Sequence, residues 1–243
     1  MDLKTSYMGI SLKNPIIVGA SNLATDMSFA RKLEDAGAAA IVYKSLFEEQ
    51  LQLEAAELED ELHIYDERNA EMPNLFPQVT HSGPKSHLLA LKKLKETVSI
   101  PVFASLNCME NESWVEYAIY LAETGVDGLE LNFYNTITDA NRTSEDIEQS
   151  RLEVLQRVKK AVKIPVSVKL SAFYTNPLHI VKQMDNAGAN GFVLFNKLFQ
   201  PDIDIHSMTM KQPYNLSNKG ENRLPLRFAG MLAGNVKGSI CSN

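Results

Sequence analysis

One segment of this chain occurs twice, and that repetition constrains the fold more than any other feature. Ser99-Ile-Pro-Val-Phe returns as Lys163-Ile-Pro-Val-Ser, with prolines at 101 and 165, a separation of 64 residues. Gly125-Val-Asp-Gly-Leu returns as Gly188-Ala-Asn-Gly-Phe, 63 residues further on. Each interval holds two short apolar runs alternating with two amphipathic ones, the pattern of strand–helix units laid around a parallel sheet. Seven runs read as buried parallel strands: Ile16–Ala20, Ala40–Tyr43, Val102–Leu106, Gly128–Leu131, Val166–Leu170, Phe192–Phe195 and Gly238–Cys241. Helices are expected over Asp26–Ala36, Pro84–Thr97, Glu112–Glu123, Ser144–Ala161, Pro177–Ala187 and Pro225–Ala233. Asp26 and Ser144 are placed to cap N-termini, and Gly37, Gly125 and Gly188 stand where a helix ends in a left-handed residue.

The pattern predicts an α/β fold of the TIM (β/α)8 barrel type. Eight units at this pitch take roughly 256 residues before any insertion. The chain has 243 residues and two long insertions, 47–83 and 197–224. It is therefore expected to form one incomplete barrel domain over 1–243, with about seven strands, no eighth strand and a short N-terminal hairpin at 4–15. A doubly wound sheet is the competing architecture. No GxGxxG follows the first strand and no GxxxxGK[ST] occurs anywhere, so neither nucleotide-binding turn supports it.

Composition narrows the partners. A net charge of -6 without any Lys/Arg-rich run argues against nucleic acid. No apolar stretch reaches the roughly 20 residues of a membrane span, and Met1–Gly9 has no signal-peptide core. Cys108 and Cys241 are the only cysteines, which fits a reducing cytoplasm rather than a disulfide framework. His63, His81, His87, His179 and His206 never fall at a metal-ligand spacing, so no metal is expected.

In α/β barrels the chemistry collects at the carboxyl ends of the strands. Those ends carry Ser21-Asn22, Lys44-Ser45, Asn107, Asn132, Lys169 with Ser171, and Asn196-Lys197. Lys44 and Lys169 follow directly on apolar runs, where an unpaired charge is costly to bury. One reading is that each lysine snorkels to the rim. The other is that the two stabilise an anionic cofactor or substrate, with the asparagine amides matching the donors and acceptors of a planar heterocycle.

These residues resemble a known family. Asn14-Pro15 through Gly19-Ala20-Ser21, then Tyr43-Lys44-Ser45, Glu130-Leu131-Asn132, Val168-Lys169-Leu170 and Asn196 occur in the order found in the class 1 dihydroorotate dehydrogenases. Phe195–Asp204 and Arg223–Arg227 resemble a dihydroorotate dehydrogenase-like branch, and the likeness runs along essentially the whole chain. It implies a cytoplasmic FMN-dependent flavoprotein that oxidises dihydroorotate, or a related dihydropyrimidine, in pyrimidine biosynthesis. A homodimer is among the expected assemblies.

The resemblance also implies residue roles. Ala20, Ser21, Lys44, Ser45, Asn132 and Lys169 would hold the flavin, with Lys169 at its pyrimidine edge and Lys44 between flavin and substrate. Asn69, Asn132 and Asn196 would bind substrate. Proton removal needs a base in hydrogen-bond reach. Where the family carries Cys or Ser, three residues after the motif asparagine, this chain has Asn135. Tyr134 is the alternative, although phenols ionise only near pH ~10, and Cys108 is a third group at the same end of the sheet. Cys108 also reads as a small buried apolar side chain. The family seats the flavin phosphate on glycine turns after its last two strands, and this sequence ends at Ser242-Asn243. Two other readings stand beside the oxidoreductase: a catalytically inactive, truncated barrel, and a lyase that forms a Schiff base on Lys169.

Three further features have simpler readings. Glu48–Leu62 reads as a solvated helix on the barrel rim, with a lid or subunit contact as the alternative. Trp114 reads as core packing. The polar stretch 197–224 is a candidate cover for the catalytic face.

Overall fold

The computed structural model of the chain describes residues 2–53, 84–134, 137–197, 201–211 and 217–243. A hairpin opens the chain, pairing β1 (Thr5–Tyr7) with β2 (Ile10–Leu12). Its turn uses Met8 and Gly9, both with positive φ. The parallel strands follow: β3 (Ile17–Val18), β4 (Ala40–Val42), β5 (Leu46–Phe47), β6 (Val102–Asn107), β7 (Gly128–Asn132), β8 (Val166–Leu170), β9 (Gly191–Leu194) and β12 (Ser239–Ser242). Their spatial order is β12-β9-β8-β7-β6-β4-β3, all parallel. β5 continues the line of β4 along β6, with Leu46 opposite Leu106. The seven-stranded sheet curls through 260°, an open and incomplete barrel.

Six helices lying wholly within the described residues cover the outside: α1 (Met27–Asp35), α2 (Lys85–Thr97), α3 (Asn111–Glu123), α4 (Ser144–Ala161), α5 (Pro177–Asn186) and α6 (Arg223–Leu232). All seven expected strands and all six expected helices are present, with ends moved by one or two residues. Asp26 caps α1 by accepting from Ser28 N and Phe29 N, and Gly37, Gly125 and Gly188 take φ of 105°, 84° and 94° after their helices. One cap differs from expectation. Thr143, not Ser144, is the N-cap of α4, and it forms a reciprocal capping box with Asp146. The box needs an acidic residue three positions on. Asp146 satisfies that spacing from Thr143, while Ser144 becomes the first helical residue.

Strand alternation separates two packed layers. Val102, Ala104, Leu106, Leu129, Leu131, Val166, Val168 and Leu170 point outward and pack on the helices in the main core. Phe103, Ala40 and Val42 point inward and meet Tyr7, Met8 and Leu12 of the hairpin, which floors the amino-terminal end of the barrel. Gly128 and Gly191 make room for that floor. A Cβ on Gly191 would lie 3.0 Å from Met8 Cγ and 3.1 Å from the Tyr7 hydroxyl.

The repeat has a structural cause. Asp127 Oδ2 accepts from Val102 N at 2.7 Å and from Lys95 Nζ at 2.6 Å. One repeat later, Asn190 Oδ1 accepts from Val166 N at 2.9 Å and from Lys159 Nζ at 2.6 Å. In each copy one side chain ties the start of a strand to the start of the next strand and to the preceding helix, so the repeated residues are the joints of the barrel. Asn14 makes a related joint, donating to Gly37 O at 2.8 Å and accepting from Ile16 N at 2.9 Å.

Between β9 and α6 lies a small hairpin, β10 (Asp202–Asp204) with β11 (Thr209–Lys211). Within the stretch expected to cover the catalytic face it exposes Ile203, Ile205, Met208 and Met210. The expected rim helix is described only at 48–53, where it is helical. Glu49, Gln50, Gln52 and Leu53 are exposed as expected of a solvated helix, and only its first residue departs from that reading among those described. Glu48 is buried, because its carboxylate accepts from Met109 N at 2.7 Å, Glu110 N at 3.2 Å and the Ser113 hydroxyl. It supplies the N-terminus of α3 with the acceptor that its own N-cap, Glu110, does not provide. No described helix is long and apolar enough to cross a membrane.

Candidate active site at the carboxyl end of the strands

The inward positions of the middle strands carry polar side chains. From the amino-terminal end, β6 presents Phe103, Ser105 and Asn107, β7 presents Gly128, Glu130 and Asn132, and β8 presents Ser167 and Lys169. Register aligns them: Ser105 pairs with Glu130, Glu130 with Ser167, and Asn132 with Lys169. The result is a polar layer inside the barrel with an amide and cation layer above it.

The lower layer is linked by hydrogen bonds. The Ser45 and Ser105 hydroxyls lie 2.7 Å apart, and Ser105 Oγ donates to Glu130 Oε1 at 3.1 Å. Ser167 Oγ donates to Leu129 O at 3.2 Å and hydrogen-bonds the Tyr7 phenol. Burial raises the Glu130 carboxyl above the usual carboxylate range, with Lys169 and the Ser105 hydroxyl pulling it back down. Burial also raises the Tyr7 phenol, and Cys241 and Glu130 add to the effect. The half-buried Cys241 thiol is pushed up to about 11, first by burial and then by Glu130, with Lys169 opposing.

The upper layer holds most of the residues singled out from sequence. Asn132 is buried at the end of β7, and its backbone carbonyl accepts from Asn107 Nδ2 at 2.7 Å. Asn107 Nδ2 also reaches Tyr134 O at 3.1 Å, which holds the start of the loop after β7 against β6. Asn132 Oδ1 is buried and has no hydrogen-bond partner among the described residues. A buried acceptor without a donor costs about 1–3 kcal/mol, so such atoms are rare unless a ligand serves them. Lys169, half-buried, stands beside it on β8, and Asn196 Nδ2 lies 3.5 Å from Lys169 O.

The remaining expected residues are distributed around this centre. Ala20 packs at the edge of the inner core beside β3. Ser21 turns its hydroxyl to Leu23 N at 3.4 Å and caps a short 3-10 turn over Asn22–Thr25. Ser45 joins the interior through Ser105. Lys44 lines a cleft of about 270 Å³ with Tyr43, Ser45 and His87. Among the described residues His87 Nε2 is buried without a partner, and its imidazole, edge-on to Tyr43 at 5.1 Å, is pushed down to about 4 by burial and by Lys44. Asn69 and Asn135 lie outside the described residues.

Cys108 is fully buried beside Trp114 in the main core, and burial followed by Glu48 raises its thiol far above neutral pH. That is the packing role, not a base. Trp114 is likewise core, edge-on to Phe133 at 5.2 Å. In the sequence Glu130 stands out only as part of the Glu130-Leu131-Asn132 motif. A charged residue at an inward position of a fully buried strand was the signal available. Among the described residues, no group of three or more His, Cys, Asp or Glu side chains is placed to hold a metal ion.

Sequence comparison finds relatives among characterised proteins. The chain is 26% identical over 220 residues to the dihydroorotate dehydrogenase B (NAD(+)) catalytic subunit of Thermoplasma volcanium, covering 85% of this chain and 65% of that protein. The protein of the same name from Methanocaldococcus jannaschii is 27% identical over 223 residues, covering 89% of this chain and 68% of its own. The Escherichia coli NAD-dependent dihydropyrimidine dehydrogenase subunit PreA is 25% identical over 202 residues, covering 80% and 48%. The chain is similar to dihydroorotate dehydrogenase catalytic subunits along most of its length. It spans about two thirds of the length of the dihydroorotate dehydrogenase subunits named here. No family model matches it. The open barrel places Asn132, Lys169 and Asn196 together at the end of the sheet where barrel chemistry occurs.

Proposed function

We propose that the chain is an FMN-dependent oxidoreductase acting on a CH–CH bond of dihydroorotate or a related dihydropyrimidine. One observation carries this reading: the unserved carbonyl oxygen of Asn132 beside the Lys169 cation. The pyrimidine edge of a flavin, or of an orotate-like substrate, offers an N–H donor flanked by carbonyl acceptors that gather negative charge. An amide acceptor next to an ammonium fits that edge. FMN, when bound, supplies the hydride acceptor.

The protein's own groups do the rest. Lys169 balances negative charge at the ring edge. Ala20 and Ser21 at the end of β3, with Lys44 and Ser45 after β4, would help hold the flavin. Asn132 and Asn196, with Asn69, orient the substrate. Proton removal from the neighbouring carbon would fall to the loop after β7, with the Tyr134 side chain accepting the proton as its phenolate.

The test is anaerobic mixing of the FMN-loaded chain with dihydroorotate or with dihydrouracil. Loss of the yellow absorbance with either compound supports the oxidoreductase and identifies the substrate. A yellow protein unchanged by both refutes the reaction, and incorporation of borohydride with a carbonyl compound at Lys169 would assign the lyase instead.

A further inference from the structure

Arg151, half-buried on α4, takes no part in the reaction proposed above. Among the described residues no carboxylate pairs with its charge. Its guanidinium instead meets two aromatic rings. The Cζ atom stands 5.2 Å from the Tyr174 ring centroid and 6.0 Å from that of Phe133, and Nη1 donates to the Tyr174 hydroxyl. A planar cation can lie against rings and still donate from its edge, which a compact ammonium does less well. The two rings belong to the segments that leave β7 and β8. Phe133 directly follows Asn132, and Tyr174 lies in the loop after Lys169 and Leu170. Alternation aims Asn132 into the barrel and Phe133 toward the helices, so the seating of Phe133 fixes the direction of Asn132. Phe133 N also donates to Lys169 O at 3.0 Å, which joins the end of β7 to the end of β8. Packing alone does not hold the Phe133 ring. Trp114 meets it edge-on at 5.2 Å, but an open cavity of about 60 Å³, lined by Trp114, Phe133, Arg151 and Val154 among others, adjoins it and leaves room to turn.

We propose that Arg151 is a positioning residue: its guanidinium clamps Phe133 to Tyr174 and so holds the ends of β7 and β8 in the arrangement that sets the Asn132 amide beside Lys169. The alternative is an arginine whose stem merely covers apolar surface, a role lysine could fill. The inference deepens the flavin reading, and rests on it only for the identity of the ligand that Asn132 and Lys169 meet.

Two measurements test it. In FMN-free protein labelled with nitrogen-15 phenylalanine, amide exchange at Phe133 is followed by NMR, with the buried Phe103 and Phe192 as references for global opening. Arg151→Ala is expected to speed exchange at Phe133 about tenfold or more relative to the references, the scale of a partly desolvated cation–π contact. Arg151→Lys keeps the charge and the stem without the planar face, so the same selective gain is expected. No change at Phe133, an equal rise at all three amides, or a wild-type rate in Arg151→Lys overturns the proposal. The lysine variant keeps the test open should Arg151→Ala fail to fold. In FMN-loaded protein, Arg151→Ala is expected to move the midpoint potential to more negative values, because a displaced Lys169 stabilises the reduced ring less. A potential equal to that of the wild type overturns the positioning role. If wild type takes up no FMN, the flavin reading fails, and exchange at Phe133 still decides whether Arg151 holds the two strand ends together.

Discussion

Replacing Asp127 tests whether the repeated joints hold the barrel together. In Asp127→Ala the Val102 amide loses its acceptor at the start of β6, where Val102 is fully buried. Leaving such a donor unserved costs about 1–3 kcal/mol. The Lys95–Asp127 contact is lost as well, but both side chains are about a third exposed (28% and 31%). Solvent screening therefore limits that part to less than about 1 kcal/mol. The expected total is about 2–3 kcal/mol. Asp127→Asn imitates Asn190, which makes the same two contacts without charge. It should retain the amide bond and cost about 1 kcal/mol or less. Urea unfolding followed by circular dichroism, with equal slopes in the three proteins, reads both differences from the midpoints. The reasoning is refuted if Asp127→Asn is as damaging as Asp127→Ala, or if Asp127→Ala leaves the midpoint unchanged.

Three other outcomes follow from the structure. Thr143→Ala should lower stability by about 1 kcal/mol through loss of the α4 cap, whereas Ser144→Ala should lie within a few tenths; equal losses in thermal melts would return the cap to Ser144. Because burial raises the Glu130 carboxyl in the folded state, its contribution is fully present below the unfolded value near ~4.3 and is lost as pH rises through the folded value. Wild type should therefore lose stability relative to Glu130→Gln as pH rises through that window, and parallel pH–stability curves would contradict this. The Cys108 thiol should resist an aromatic disulfide reagent in the native protein and react only on unfolding, so rapid labelling at neutral pH would show that the pocket beside Trp114 is open.

Local patterns made most of the fold legible. Apolar runs of five or so residues between amphipathic segments located every strand of the curled sheet except the two-residue β5. Glycines after α1, α3 and α5 marked their ends, because only a left-handed residue continues the chain there. Polar residues at strand ends likewise pointed to Asn132, Lys169 and Asn196, which register brings together. What stayed hidden depends on contacts distant in sequence. Glu48 looked like part of a solvated acidic helix, yet its carboxylate serves amides 61 and 62 residues away at the head of α3. Glu130 looked like one letter of a motif, and its meaning depends on β6, β8, β12 and the floor hairpin meeting around it. Thr143 and Ser144 are both good caps by residue type, and only the reciprocal bond with Asp146 separates them.

The central claim is that the Asn132–Lys169 end of the barrel takes the pyrimidine edge of a flavin. Titration of the purified chain with FMN, followed by quenching of flavin fluorescence, tests it most directly alongside Lys169→Met and Asn132→Ala. Saturable binding by wild type, weakened about tenfold or more in each variant, is the predicted result, since each removes a charge-assisted or buried hydrogen bond. Wild-type protein that leaves FMN fluorescence unchanged, or variants that bind FMN as tightly as wild type, would contradict it.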